Sequence, residues 1–344
     1  MIENLLRPWL VARVIVGLSA SVLAIAAMIV AARALSRDPA RVGPVTRLHD
    51  EKRIELVSTL FSLAGAFAWL DLLLAVTGAD RLAGSLRGAM CAYGVLDASP
   101  WGFRALVLAI VAALAASSWR ALHAVDLTQR EGALTRGKLT GAFFVGPLVL
   151  ASFAASTRFA LDLDFRVIAS CCSTGFGPRA AAILGREGGA EPTAMIAMVV
   201  LGGLTAVLAI ASTRRARAGE VLAVLASVCA IGAALASVPA IVGYVAPHAY
   251  ETPVHQCPFC LLRVEESGGI GWPLYVALAT ALGASLALGV SALSSRRVPE
   301  PALAWPLRRR FAVTAATAWL VTIVVALYPI ARFAWISDGA SLFG

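Results

Sequence analysis

Long apolar runs separated by short polar stretches set the pattern of this chain. Eight runs stand out, at about residues 10–34, 56–77, 103–120, 141–161, 194–212, 220–244, 271–293 and 311–334. A helix rises about 1.5 Å per residue, so each run can cross a hydrocarbon core of about 30 Å, the shorter ones only just. No strand-like alternation runs through them, and a lone segment in lipid satisfies its backbone polar groups only as a helix. The pattern therefore predicts an all-α, polytopic transmembrane helical bundle of about eight spanning helices. Leu10 to Leu35 is longer than the h-region of a signal peptide, about 7–15 residues, and the main basic cluster follows it rather than preceding it. It is read as the first spanning helix.

Composition sharpens this picture. Of the 344 residues, 59% are hydrophobic and 14% charged, and the mean hydropathy is +0.81. No polar stretch is long enough for a soluble domain of ordinary size, so residues 1–344 are read as one integral membrane domain. A net charge of +9 would suit nucleic acid if it gathered on one soluble face. Most basic residues instead crowd alternate connections: Arg37, Arg41, Arg47 and Lys52; Arg130, Arg136 and Lys138; Arg214, Arg215 and Arg217; Arg296, Arg297 and Arg308. The partner this implies is the lipid bilayer, with no nucleic acid. Basic loops stay on the cytoplasmic side, which places both termini outside and points to a bacterial inner (cytoplasmic) membrane. Trp9, Trp101, Trp272 and Trp335 then lie near the outer interface, and Trp119 and Trp305 near the inner one. His49 and His123 read as solvated or capping residues of the inner side, Arg13 as a helix-end charge, and Asp162 and Asp164 as solvated carboxylates.

This orientation changes the meaning of the cysteines. Five of the six fall in outer loops, 78–102, 162–193 and 245–270: Cys91, Cys171, Cys172, Cys257 and Cys260. Thiols outside an inner membrane meet an oxidising compartment, so these are expected to be paired, metal-bound or turning over. Cys229 lies inside a run, where packing explains a thiol. His255-Gln256-Cys257-Pro258-Phe259-Cys260 concentrates the reactive groups. Pro258 suits the first position of a helix, which would make Cys257 its N-cap, with Cys260 facing it one turn on. A helix N-terminus favours thiolate at Cys257, and His255 and Arg263 add positive charge. Gly268-Gly269 would end that helix. The vicinal pair Cys171-Cys172 has Cα atoms about 3.8 Å apart, below the usual range of about 4.4–6.8 Å for a disulfide. Its two sulfurs therefore suit different partners or one soft metal ion. Asp71 lies about six residues, roughly 9 Å, inside its run. It is read as a proton or ligand site, or as a carboxylate snorkelling to the interface.

The segment Cys257-Pro258-Phe259-Cys260-Leu261-Leu262-Arg263 resembles the C-x-x-C plus arginine of membrane disulfide-generating oxidases and the similar vitamin K epoxide reductases. Those carry the motif at the outer end of a spanning helix beside a quinone. The resemblance covers seven residues; the eight runs, the vicinal pair and Cys91 depart from the pattern. It implies a quinone cofactor with Arg263 beside it.

Three functions follow as expectations. The first is an inner-membrane thiol–disulfide oxidoreductase acting on the outer, periplasmic face, with an extracytoplasmic thiol protein as partner. Cys257 attacks, Cys260 resolves, and the pair exchanges with Cys171 or Cys172 through a mixed disulfide. The second is binding or transport of a soft metal such as Cu, Zn or Hg. Its ligands would be drawn from Cys91, Cys171, Cys172, His255, Cys257 and Cys260, and a metallochaperone would be its partner. The third is a structural or assembly protein with static disulfides. The first two require the outer loops to converge; the third does not.

Overall fold

The computed structural model describes residues 7–36, 44–129, 132–165, 192–214, 217–253 and 255–343. Among them all regular structure is helical, with no strand. Eight helices are long and apolar enough to cross a membrane: Pro8–Leu35, Glu51–Ala83, Gly102–Asp126, Thr135–Asp162, Thr193–Ala211, Ala218–Tyr250, Gly271–Ser295 and Pro301–Ile336. Each contains most or all of one expected run. The chain is thus a polytopic helical membrane protein in contact with lipid. The helices outrun the apolar stretches because polar helix formers continue them; the second begins at Pro44, well before its hydropathy rises.

Contacts group the chain into two compact units, Met1–Ala169 with Ser294–Leu303, and Ser170–Leu293 with Ala304–Gly344. In the first unit α1 (Pro8–Leu35), α2 (Pro44–Ala83), α4 (Gly102–Asp126) and α5 (Thr135–Asp162) close a ring, each touching the next and α5 returning to α1. The short α3 (Ala92–Asp97) packs against α2 and α4. The seam of α1 is alanine: Ala20, Ala24, Ala27 and Ala31 are buried against Ala64, Ala116 and Ala142. Ile15, Leu18, Val22 and Ile29 of the same helix point outward. Lipid tails are as apolar as leucine, so burying leucine gains little here; close backbone approach through small residues gains dispersion contacts instead. Gly146 shows how close: a Cβ there would lie 2.5 Å from Met28 Sδ.

The second unit repeats this construction with α6 (Thr193–Ala211), α7 (Arg217–Ala240), α10 (Gly271–Ser295) and α11 (Trp305–Ile336). Ala206, Ala209, Ala223, Ala226, Ala230, Ala281, Ala312 and Ala315 surround the fully buried Trp319. Trp319 Nε1 donates to Ser285 Oγ (3.2 Å), and Ser227 Oγ donates to Ser285 O (2.6 Å). These bonds tie three of the helices where no water can serve. At its far end α7 widens into a π turn, Ile241–Val245, before α8 (Ala246–Tyr250). Pro247 has no N–H for the Gly243 carbonyl and its ring crowds that oxygen, which accounts for the wider turn. The helix stops at Glu251, whose φ of 54° is left-handed.

Two expectations about charge are corrected. Arg13 is not a solvated helix-end residue: it is 4% exposed, within α1. Lys138 is 3% exposed and pairs with Asp126 at 2.8 Å. Asp126 also accepts from Leu134 N (3.1 Å), and His123 Nδ1 lies 3.5 Å from Lys138 Nζ. These groups close the short connection between α4 and α5, and Trp119 Nε1 caps it by donating to Lys138 O (2.9 Å). His123, expected as a solvated or capping residue, lies in the last turn of α4 and belongs to this polar cluster.

Candidate thiol site

In each unit the connection between the second and third spanning helix carries cysteine. In the first, Cys91 is extended (φ −153°, ψ 179°) and precedes α3, whose Gly94 N donates to Cys91 O (3.1 Å). Two features fix the loop. The start of α4 presses on the end of α3, where a Cβ at Gly102 would overlap Leu96 O. Ser99 Oγ donates to Asp162 Oδ2 (2.9 Å), so this carboxylate anchors the loop to α5 besides facing water. Cys91 is 1% exposed.

In the second unit the C-x-x-C does not start an α-helix. Pro258 and Phe259 form a turn, Cys260–Leu262 is one 3₁₀ turn, and α9 (Val264–Ser267) follows. Cys257 is therefore not a helix N-cap, and the dipole argument for its thiolate falls. The cause is tertiary: the first turns of α10 hold the segment by its carbonyls. Tyr275 Oη donates to Pro258 O (2.5 Å) and Trp272 Nε1 to Leu262 O (3.0 Å). Gly271 lies so near Leu261 that a Cβ would come within 2.8 Å of its backbone. Ser267 Oγ donates to Leu261 O and Arg263 O. Gly268 and Gly269 do end α9, with φ of 67° and 70°. Arg263 is the half-buried N-cap residue of α9.

Within the second unit the sulfurs of Cys257 and Cys260 lie within 4.8 Å of each other, and both residues are buried. No disulfide joins the described cysteines. Two thiols so close have the elements of a metal site or of a redox site. Two thiolates about 2.3 Å from one tetrahedral ion are about 4 Å apart.

Other expected residues fall elsewhere. The ring of His255 stacks on Tyr250 at 3.8 Å, and its buried Nε2 has no hydrogen-bond partner among the described residues. Cys171 and Cys172 lie outside the described residues. Asp71 does not snorkel: it is 3% exposed, accepting from Arg13 Nε at 3.1 Å and Ser152 Oγ at 3.3 Å. Sequence reasoning missed Arg13 as its partner; the available signal was a cation within an apolar run. It also missed Tyr275, which nothing but its place one turn into α10 sets apart.

A groove of about 610 Å³ opens in the second unit, lined by Ala249, Ser267, Gly268, Pro273, Tyr328 and Arg332 among others. Its volume is in the range of small-molecule sites, about 300–1,000 Å³. Compared with protein-family models, curated proteins and solved structures, the chain matches none.

Proposed function

We propose that the protein is a membrane thiol–disulfide oxidoreductase of the outer face, with Cys257 and Cys260 as the redox pair. The observation that carries this reading is the approach of two buried sulfurs within 4.8 Å of each other across one turn. Such a pair exchanges with a thiol from outside: attack of a thiolate of an extracytoplasmic thiol protein on a Cys257–Cys260 disulfide forms one mixed disulfide and releases the other thiolate. The electron acceptor is of the quinone class: two thiols give two electrons and two protons, yielding a disulfide and a quinol. The groove supports this acceptor, since Ser267 on its wall is hydrogen-bonded to the Cys260–Leu262 turn. Arg263, at the end of the same turn, is the residue nearest in sequence to orient it.

A second reading, binding of a soft metal, is favoured by the same two sulfurs and by the buried His255 Nε2, which has no hydrogen-bond partner among the described residues. Thiolates select ions such as Cu(I), Zn or Hg, and the imidazole would add a third donor on rotation. Alkylation in native membranes separates the readings. Under the redox reading, oxidised glutathione produces a Cys257–Cys260 disulfide, and Cys260→Ser leaves Cys257 as a mixed disulfide with glutathione. Under the metal reading, the thiols stay protected from maleimide until a chelator is added, and reductant has no effect. Free alkylation under every condition would refute both.

A further inference from the structure

We propose that Tyr275 is a positioning residue of the thiol pair, its hydroxyl holding the turn between Cys257 and Cys260 in the form from which a disulfide closes. The inference rests on the redox reading of that pair. Pro258 lies between the two cysteines and has no N–H, so no bond donated from it can fix the turn. Its carbonyl is the handle it offers, and Tyr275 Oη donates to it at 2.5 Å. One backbone bond also reaches the stretch, from Leu262 N to Phe259 O (3.2 Å), but it is local to the 3₁₀ turn; the next, from Arg263 N to Cys260 O (2.9 Å), lies beyond it. The other contacts from α10 also hold later residues: Trp272 reaches Leu262 and Gly271 meets Leu261. Tyr275 alone of these grips the stretch between the sulfurs, and it lies within electrostatic reach of both. Holding that carbonyl fixes one sulfur relative to the other. It thereby raises the effective concentration of each thiol toward the other, the general gain from orienting reacting groups in advance.

The test equilibrates the purified full-length protein in detergent with glutathione redox buffers. Protein dithiol and oxidised glutathione give protein disulfide and two reduced glutathiones. The Cys257–Cys260 disulfide is quantified by acid quench, alkylation and mass spectrometry. Tyr275→Phe keeps the ring and loses the hydroxyl; it should lower the equilibrium constant for disulfide formation about tenfold, or about 30 mV for this two-electron couple. Trp272→Phe loses a bond outside the stretch between the sulfurs and should stay within about twofold of the parent. Equal constants for Tyr275→Phe and the parent would overturn the proposal, as would an equally large shift in Trp272→Phe, which would mark general loosening. In both cases the redox reading survives, because the parent still forms the disulfide. Failure of the parent to form it even in oxidised glutathione alone would bring down that reading and this inference together.

Discussion

At the scale of single residues, the membrane interior sets unusual stakes for Arg13 and Asp71. Each is buried in the first unit and each neutralises the other across 3.1 Å. Removing one partner leaves an uncompensated charge where water is scarce, a loss typically of about 3–5 kcal/mol. Removing both leaves no such charge. Arg13→Met and Asp71→Leu should therefore each lower thermal stability in detergent strongly, while the double variant recovers much of the loss. Strictly additive losses would show that the pair is not energetically coupled. This pair also marks a limit of reading the sequence. Asp71 was conspicuous as a carboxylate in an apolar run, but its meaning depended on a residue 58 positions away. Only the antiparallel packing of α1 on α2 brings the two together. The Cys257–Cys260 motif was legible as chemistry for the opposite reason: its spacing is local. Its backbone was not, because Tyr275 and Trp272 bend the segment away from the helix that Pro258 alone would favour.

At the scale of helices, the bundle is inside out relative to a soluble core. Ala226 of α7 is fully buried, whereas Val228, two residues on, is 60% exposed. Overpacking a close seam typically costs about 1–3 kcal/mol, while trimming a lipid-facing side chain leaves the seam intact. Ala226→Leu should accordingly destabilise the protein by about that amount, and Val228→Ala should change little, both measured as unfolding in mixed micelles. Hydropathy located the helices because every stretch facing lipid must be apolar, whichever way it faces its neighbours. It did not locate the polar extension of α2 from Pro44, where helix formation depends on propensity rather than on lipid. Nor did it distinguish the seam from the coat, since alanine and valine both count as apolar. The Gly102 contact gives a sharper case beside Cys91. Gly102→Val cannot be accommodated against the Leu96 carbonyl, so α3 must shift and carry the buried Cys91 with it. The expected result is faster maleimide labelling of Cys91, with the parent rate retained in Gly84→Ala, where a Cβ meets nothing.

For the whole molecule, the eight helices that can span a membrane among the described residues predict that both ends of the chain lie on one side. The charge bias predicts that this side is the exterior. Reporters inserted at residues 215–216 and fused after Gly344 should therefore read opposite sides, the first cytoplasmic; a common side would refute the map. The number of crossings was legible in the sequence, and so was the clustering of cysteine on alternate connections. The side chains that hold the C-x-x-C turn were not, because Tyr275 and Trp272 meet it only in the folded chain. The alanine seams carry one further consequence. Specific fit rests largely on side chains of a single methyl, while the outward valines, leucines and isoleucines need only be oily. Over long descent such a chain can repaint its exterior freely, exchanging one branched hydrocarbon for another as membranes thicken, thin or change their lipids. Its seams, with no spare volume, must stand still. Two distant descendants would then keep the same skeleton under different coats, and kinship would be written in the smallest letters of the sequence.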